Sequence, residues 1–354
     1  MPGVAFEDVT HRIGHGARTG HIKIITVRAY WLRKSFVQYC CATQEARQEV
    51  SGLVRGLAVL VGSVVLMAAG SACTSGSSTA HAGSLNVVAG ENFWGSVAVQ
   101  LGGSKVNVLS VVTDPNADPH EYASNTNDAR AFAEADLVIL NGAGYDDWGQ
   151  KLLDANSSNH RQVLNVANLL SKKAGDNPHF WYDPVSVVKV ADAITAKYKA
   201  IDSGDASYYD TLRNAFTAAL QPYLTRIAEI KQKFSGVKVG STESIFVYMA
   251  NALGLNLISP AEFMQAVSEG NDPPAASVVD FQNQITGKQI KVLVYNVQTA
   301  TAVTTNVKHM AQAADIPVVG VSETLQPETV TFQDWQLAQL IALQNALNAD
   351  SLSK

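Results

Sequence analysis

From Leu85 onward, short apolar runs alternate with stretches of helical periodicity, and one segment interrupts the alternation. The runs LNVVAG (85–90), KVNVLSVV (105–112), DLVILNG (136–142) and VLNVA (163–167) are continuously apolar, as strands buried on both faces must be. Helix-compatible segments at 91–101, 126–135, 145–154 and 184–201 separate them. The pattern resumes with strand-like runs at 237–242, 255–259, 290–296 and 317–321, and helical segments at 243–253, 275–287, 302–314 and 329–349. Such alternation builds α/β lobes with mostly parallel sheets. Between the two halves, residues 205–235 carry no strand signal. Tyr209, Leu212, Phe216, Leu220, Tyr223, Ile227, Ile230 and Phe234 recur there at spacings of three and four, which predicts one long amphipathic helix with Pro222 as a point of bending. The expected architecture is an N-terminal α/β lobe over 85–204, a linking helix over 205–235 and a C-terminal α/β lobe over 236–354. No internal sequence repeat is visible.

Residues 1–84 carry a different signal. The stretch LVRGLAVLVGSVVLMAA (53–69) is almost wholly apolar, with Arg47 and Arg55 near its start. Its uninterrupted part, 57–69, is shorter than the roughly 20 residues of a membrane-spanning helix but suits the apolar region of a signal peptide. Gly70, Ser71 and Ala72 follow, then Cys73, then the polar run TSGSSTAHAGS, which has the composition of a flexible tether. This resembles a bacterial lipoprotein signal, with a signal peptide over 50–72 and Cys73 lipidated at the head of a tether over 73–84. Gly70 departs from that pattern, standing where an aliphatic residue is expected. The charged region of a signal peptide is short, so residues 1–49 read as an extension, and translation from Val50 would give a conventional leader.

Charge and cysteine content narrow the class. Apolar residues make up 47% of the 354 and charged residues 16%, which is ample for a buried core and unlike a disordered chain. Residues 1–72 hold 8 of the 26 Lys and Arg and 4 of the 31 Asp and Glu, which leaves a body of net charge −9. An acidic body disfavours nucleic acid as a partner and is compatible with a cationic ligand. The three cysteines are Cys40, Cys41 and Cys73, so the body has neither disulfide nor thiolate metal site.

Four places concentrate ligating side chains. Asp114-Pro-Asn-Ala-Asp-Pro-His120-Glu-Tyr122 follows a strand, and Asn177-Pro-His179-Phe-Trp-Tyr-Asp-Pro184 precedes a helix. Ser241-Thr242-Glu243 ends a strand in the second half, and Val321-Ser322-Glu323 follows the last strand. In an α/β lobe these are carboxyl-end positions, the usual ligand-binding edge. Taken singly, each residue has an ordinary explanation: a histidine after proline as a loop residue, a glutamate at a helix start as a partner of the helix dipole. Recurrence at strand ends in both halves favours a shared site. Two imidazoles and two carboxylates suffice for a first-row divalent ion, and carboxylate oxygens shift the balance toward manganese.

These motifs resemble the cluster A-I binding proteins of ABC importers for zinc and manganese, the metal-receptor lipoproteins. The resemblance spans roughly residues 84–350 and is carried by Asp-Pro-His120-Glu-Tyr, Pro-His179-Phe-Trp-Tyr-Asp-Pro, AGYDDWGQKLL (143–153) and the mid-chain helix. It implies two α/β lobes bridged by a rigid helix, with a metal site in the cleft between them. By the same resemblance His120 and His179 are the first-lobe ligands. Glu243 is the third, within Glu-x-x-Phe-x-Tyr, and Glu323 the fourth, where the family usually has Asp. The implied cargo is Mn(II) or Zn(II), and the implied partners are an ABC-transporter permease and membrane lipid through the N-terminal anchor. The protein is expected to be an extracytoplasmic monomer. A Glu at the third ligand and the lack of a His-rich loop after the first motif are similar to the manganese-type set, although Zn(II) binds most nitrogen and oxygen sites more tightly.

A secreted metal-dependent hydrolase is the alternative. It would need an open coordination position and a general base, and the sequence has no HExxH helix or nucleophile elbow. A surface adhesin is compatible with the binding-protein reading. Trp94, Trp148 and Trp181 each sit beside an apolar run, which favours core packing over a sugar-binding surface.

Overall fold

The computed structural model describes residues 83–116 and 119–349. The chain divides into two units, Met1–Cys73 and Thr74–Lys354, and every described residue belongs to the second. The expected extension, signal peptide, lipidation at Cys73 and most of the expected tether fall outside the described residues. Among the described residues no helix is long and apolar enough to cross a membrane.

Two four-stranded parallel sheets organise the body. The first comprises β1 (Leu85–Glu91), β2 (Val106–Val112), β3 (Leu137–Leu140) and β4 (Gln162–Asn165), in the spatial order β2-β1-β3-β4. The second comprises β5 (Lys238–Ser241), β6 (Asn256–Leu257), β7 (Leu293–Asn296) and β8 (Val318–Val321), in the order β6-β5-β7-β8. All pairings are parallel. The inner strands β3 and β7 are buried at every residue, which is why their sequences are continuously apolar.

The two sheets repeat one topology although the sequence shows no repeat. In each, the chain steps from the first strand to a neighbour on one side and returns to a strand on the other. That reversal opens a crevice at the carboxyl ends of β1 and β3, and another at those of β5 and β7. The registers match as well. Two residues beyond the pair Ala89 and Ile139 stand Glu91 and Asn141; two beyond Ser241 and Val294 stand Glu243 and Asn296.

The segment expected as one long helix is two, Ala206–Ala219 and Gln221–Phe234, meeting at Leu220. The physical cause is Pro222, which has no N–H to donate to the carbonyl of Ala218. Hydrogen bonds on either side survive, from Leu220 N to Phe216 O at 3.0 Å and from Leu224 N to Leu220 O at 3.0 Å, so the interruption is local. The predicted apolar stripe is buried except at Leu212, which is half-buried: Tyr209, Phe216, Leu220, Tyr223, Ile227, Ile230 and Phe234 join a single core cluster. That cluster also contains Leu85 and Ile139 of the first lobe and Val294 and Leu343 of the second. Burying each such side chain contributes about 1.5–3 kcal/mol, so the helix pair and both lobes share one apolar core. Trp94 and Trp181 are fully buried and Trp148 nearly so.

Candidate metal centre

All four expected ligating residues converge where the carboxyl edges of the two sheets face each other. One ligand atom from each of His120, His179, Glu243 and Glu323 lies within 4.8 Å of the others. His179, Glu243 and Glu323 are fully buried, whereas the His120 side chain is 18% exposed. His120 therefore forms the solvent side of the cluster. It lines a cleft of about 600 Å³ together with Tyr145, Asn177, Ser244, Gln265 and Glu269.

Local chain chemistry places each group. His120 sits on a short 3-10 turn, Pro119–Glu121, after β2. His179 precedes another such turn, Phe180–Tyr182, and Asp183 then caps the helix Pro184–Ile201 by accepting from Val185 N and Ser186 N. The loop carrying His179 is tied to the first sheet by Asn141, whose Nδ2 donates to Pro178 O at 2.9 Å. Glu243 stands just beyond β5 and opens the turn Ser244–Phe246, but its side chain makes no capping hydrogen bond. The helix-dipole explanation of that glutamate therefore does not describe where its carboxylate goes. Glu323 follows β8, and its backbone N–H donates to Gln298 Oε1 at 2.7 Å.

The His179 ring has a defined tautomer. Its Nδ1 lies 2.8 Å from Asn177 Oδ1, which also accepts from His179 N at 3.0 Å. Asn177 Nδ2 donates to Ser244 O at 2.8 Å, so the orientation of the amide is set by its partners. The neutral ring must carry its proton on Nδ1 and present a lone pair on Nε2. Burial, reinforced by His120, holds its pKa well below the usual histidine value, so the ring is neutral. Nε2 faces Glu243 Oε1 at 3.2 Å, and His120 Nε2 lies 3.5 Å from Glu323 Oε2. Two imidazole nitrogens and two carboxylate oxygens so gathered are the donor set of a first-row dication.

Three further residues shape the centre, and the sequence reading gave none of them a role. Tyr145 of the first lobe donates to Glu323 Oε2 at 2.5 Å, linking the lobes. It is presented by a tight turn after β3, where Gly142 adopts φ +75° and Asp146 accepts from Asn141 N and Gly142 N at 2.6 and 2.7 Å. Asn296, at the end of β7, donates to Glu243 Oε2 and Glu323 Oε1. Glu91 ends β1 and is 1% exposed. Burial holds its carboxyl well above the usual carboxylate range, and the nearby Asp146 and Glu323 push the same way. The available signal was positional: Asn296 ends a predicted strand, and Glu91 stands immediately after one.

Two α/β lobes of like topology, a shared core and a buried pair of imidazoles and carboxylates between them define a two-lobed binding protein for a small cation. Residues 87–346 match the zinc-uptake complex component A periplasmic family, and the chain belongs to it. A manganese ABC transporter substrate-binding lipoprotein of Streptococcus mitis is 26% identical over 218 residues, covering 56% of this chain and 68% of the relative. A manganese-binding lipoprotein of Halalkalibacterium halodurans is 23% identical over 231 residues, covering 63% and 75%. Among solved structures, a laminin-binding adhesin from Streptococcus agalactiae superposes with a TM-score of 0.62 at 18% identity, covering 74% of this chain and 99% of the other. That likeness shows the two-lobed fold.

Proposed function

We propose that the chain is an extracytoplasmic binding protein that captures Mn(II) or Zn(II) on His120, His179, Glu243 and Glu323 and delivers the ion to an ABC importer. One observation carries this reading: two fully buried carboxylates, each with an oxygen facing an imidazole nitrogen, are gathered from both lobes. Burying two carboxylates is costly without a counter-charge, and a dication supplies it. Each lobe contributes two of the four donors, so the bound ion joins the lobes. Four protein donors leave little room for substrate or an activated water, which favours capture over catalysis. The name of the Streptococcus mitis relative supports transport as the purpose of capture, and that of the Halalkalibacterium halodurans relative supports manganese as a cargo. The word lipoprotein in both names supports membrane attachment, which this reading assigns to lipid on Cys73; it also takes a permease as the docking partner and the body as a monomer.

Calorimetric titration of the purified protein with Mn(II) and Zn(II), alongside elemental analysis of protein from metal-limited cells, tests the reading. The expected result is tight 1:1 binding that is lost in His120→Ala and in His179→Ala, because each removes one of two imidazoles. Affinity retained in both variants would overturn the site. Cys73→Ala is expected to move the protein from the membrane fraction to the soluble one.

A further inference from the structure

We propose that Asn296 sets the metal selectivity of this centre by limiting how many oxygens its two glutamates offer to the ion; the inference rests on the metal-binding reading above. The topology creates the opportunity. β7 lies between β5 and β8, so its last residue stands between Glu243, just beyond β5, and Glu323, just beyond β8. Asn296 is fully buried. Its Oδ1 accepts from Gln298 N at 3.1 Å and its backbone N–H donates to Thr242 Oγ1 at 3.2 Å, which turns Nδ2 toward the glutamates.

An amide nitrogen carries two hydrogens, and here each has a carboxylate. Nδ2 donates to Glu243 Oε2 at 2.5 Å and to Glu323 Oε1 at 2.8 Å. The other oxygen of each glutamate is the one that faces an imidazole: Glu243 Oε1 toward His179, Glu323 Oε2 toward His120. Tyr145 also donates to Glu323 Oε2, an oxygen with lone-pair capacity for both the phenol and an ion. Each carboxylate is thus divided, one oxygen directed at the ion and one held by a buried amide. The donor set is restricted to two nitrogens and two oxygens.

That restriction acts differently on the two cargoes. Zn(II) is satisfied by four nitrogen and oxygen donors. Mn(II) is suited by a larger set of hard oxygens, and a glutamate opening to bidentate coordination is the nearest source of another. Asn296 holds that oxygen of each glutamate turned toward the end of β7, so opening to bidentate coordination has to break or bend a buried hydrogen bond at both glutamates. Glu243 favours manganese by being a carboxylate, and Asn296 opposes it by making that carboxylate monodentate.

The test compares dissociation constants for Mn(II) and Zn(II), by chelator competition, in the full chain and in two variants. Asn296→Ala removes the donor. Asn296→Asp keeps the size and the contact with Gln298 while replacing the donating nitrogen by oxygen. In both, affinity for Mn(II) relative to Zn(II) is expected to rise about tenfold, within the range seen when outer partners of metal ligands are changed. X-ray absorption of the Mn(II)-loaded variants should show more oxygen neighbours than wild type. Folded variants with an unchanged ratio would overturn the proposal. If neither variant folds, X-ray absorption of the manganese-loaded wild type decides: monodentate glutamates support it, and a bidentate one overturns it. A wild type that binds neither ion removes the receptor reading and this inference together, whereas tight wild-type binding with an unchanged variant ratio removes this inference alone.

Discussion

Asn177 Oδ1 lies 2.8 Å from His179 Nδ1, while Nδ2 of the same amide donates to Ser244 O across the cleft at 2.8 Å. One side chain of the first lobe therefore fixes which imidazole nitrogen faces the site and grips the residue next to Glu243. Tyr248 reinforces the grip by donating to Asn177 O at 2.9 Å. Asn177→Leu removes both contacts and is expected to weaken metal binding by about 10–100-fold. Asn177→Asp keeps an acceptor for the Nδ1 proton and loses only the donor to Ser244, so its loss should be smaller. Calorimetry giving equal affinities for the two variants would show that the tautomer does not matter.

Tyr145 and Glu323 make the corresponding contact on the other side of the cluster. A hydrogen bond to a charged, buried group contributes about 1.5–3 kcal/mol, and this one joins the lobes. Tyr145→Phe should lower the stability of the metal-free protein by an amount in that range, read from denaturant unfolding. An unchanged midpoint would mean the contact contributes nothing in solution.

Glu91 predicts a pH dependence. Its carboxyl pKa is raised in the folded protein, and that of Asp146 is raised by burial from 3.8 to about 6. A raised carboxyl keeps its proton in the fold where the unfolded chain has released it. Its stabilising contribution is complete below the unfolded value and is lost as pH rises through the folded one. For Asp146 that window runs from 3.8 to about 6, and for Glu91 it begins at 4.5. Glu91→Gln removes the Glu91 part. As pH rises above 4.5 the metal-free variant should lose less stability than wild type. Parallel unfolding curves for the two proteins would refute this. His179 titrates in the opposite sense, losing stability as pH falls below 6.5, and is common to both proteins.

The centre was more legible in the sequence than the contacts that tune it. His120 and His179 stand in Pro-His motifs, and Glu243 and Glu323 lie just beyond predicted strands, so all four could be named from local pattern together with resemblance. The helix Ala261–Ser268 was missed because eight residues after Pro260 give too short a periodic signal. The break at Leu220 was foreshadowed by Pro222 but not its outcome, since a proline inside a helix can either bend it or end it.

By itself the sequence determined the succession of the eight strands, the apolar stripe of residues 205–235 and the two Pro-His turns, because periodicity and backbone restriction act over a few neighbouring residues. Only the tertiary structure decided that Asn296 would stand between two glutamates, that Tyr145 would reach Glu323 and that Glu91 would be buried close enough to Glu323 to feel its charge. Those relations depend on which strands lie side by side, and strand order is set by packing two sheets and a broken helix around one core. A residue at a strand end announces which edge it belongs to. Its neighbours on that edge come from segments distant in the chain, and no local pattern contains them.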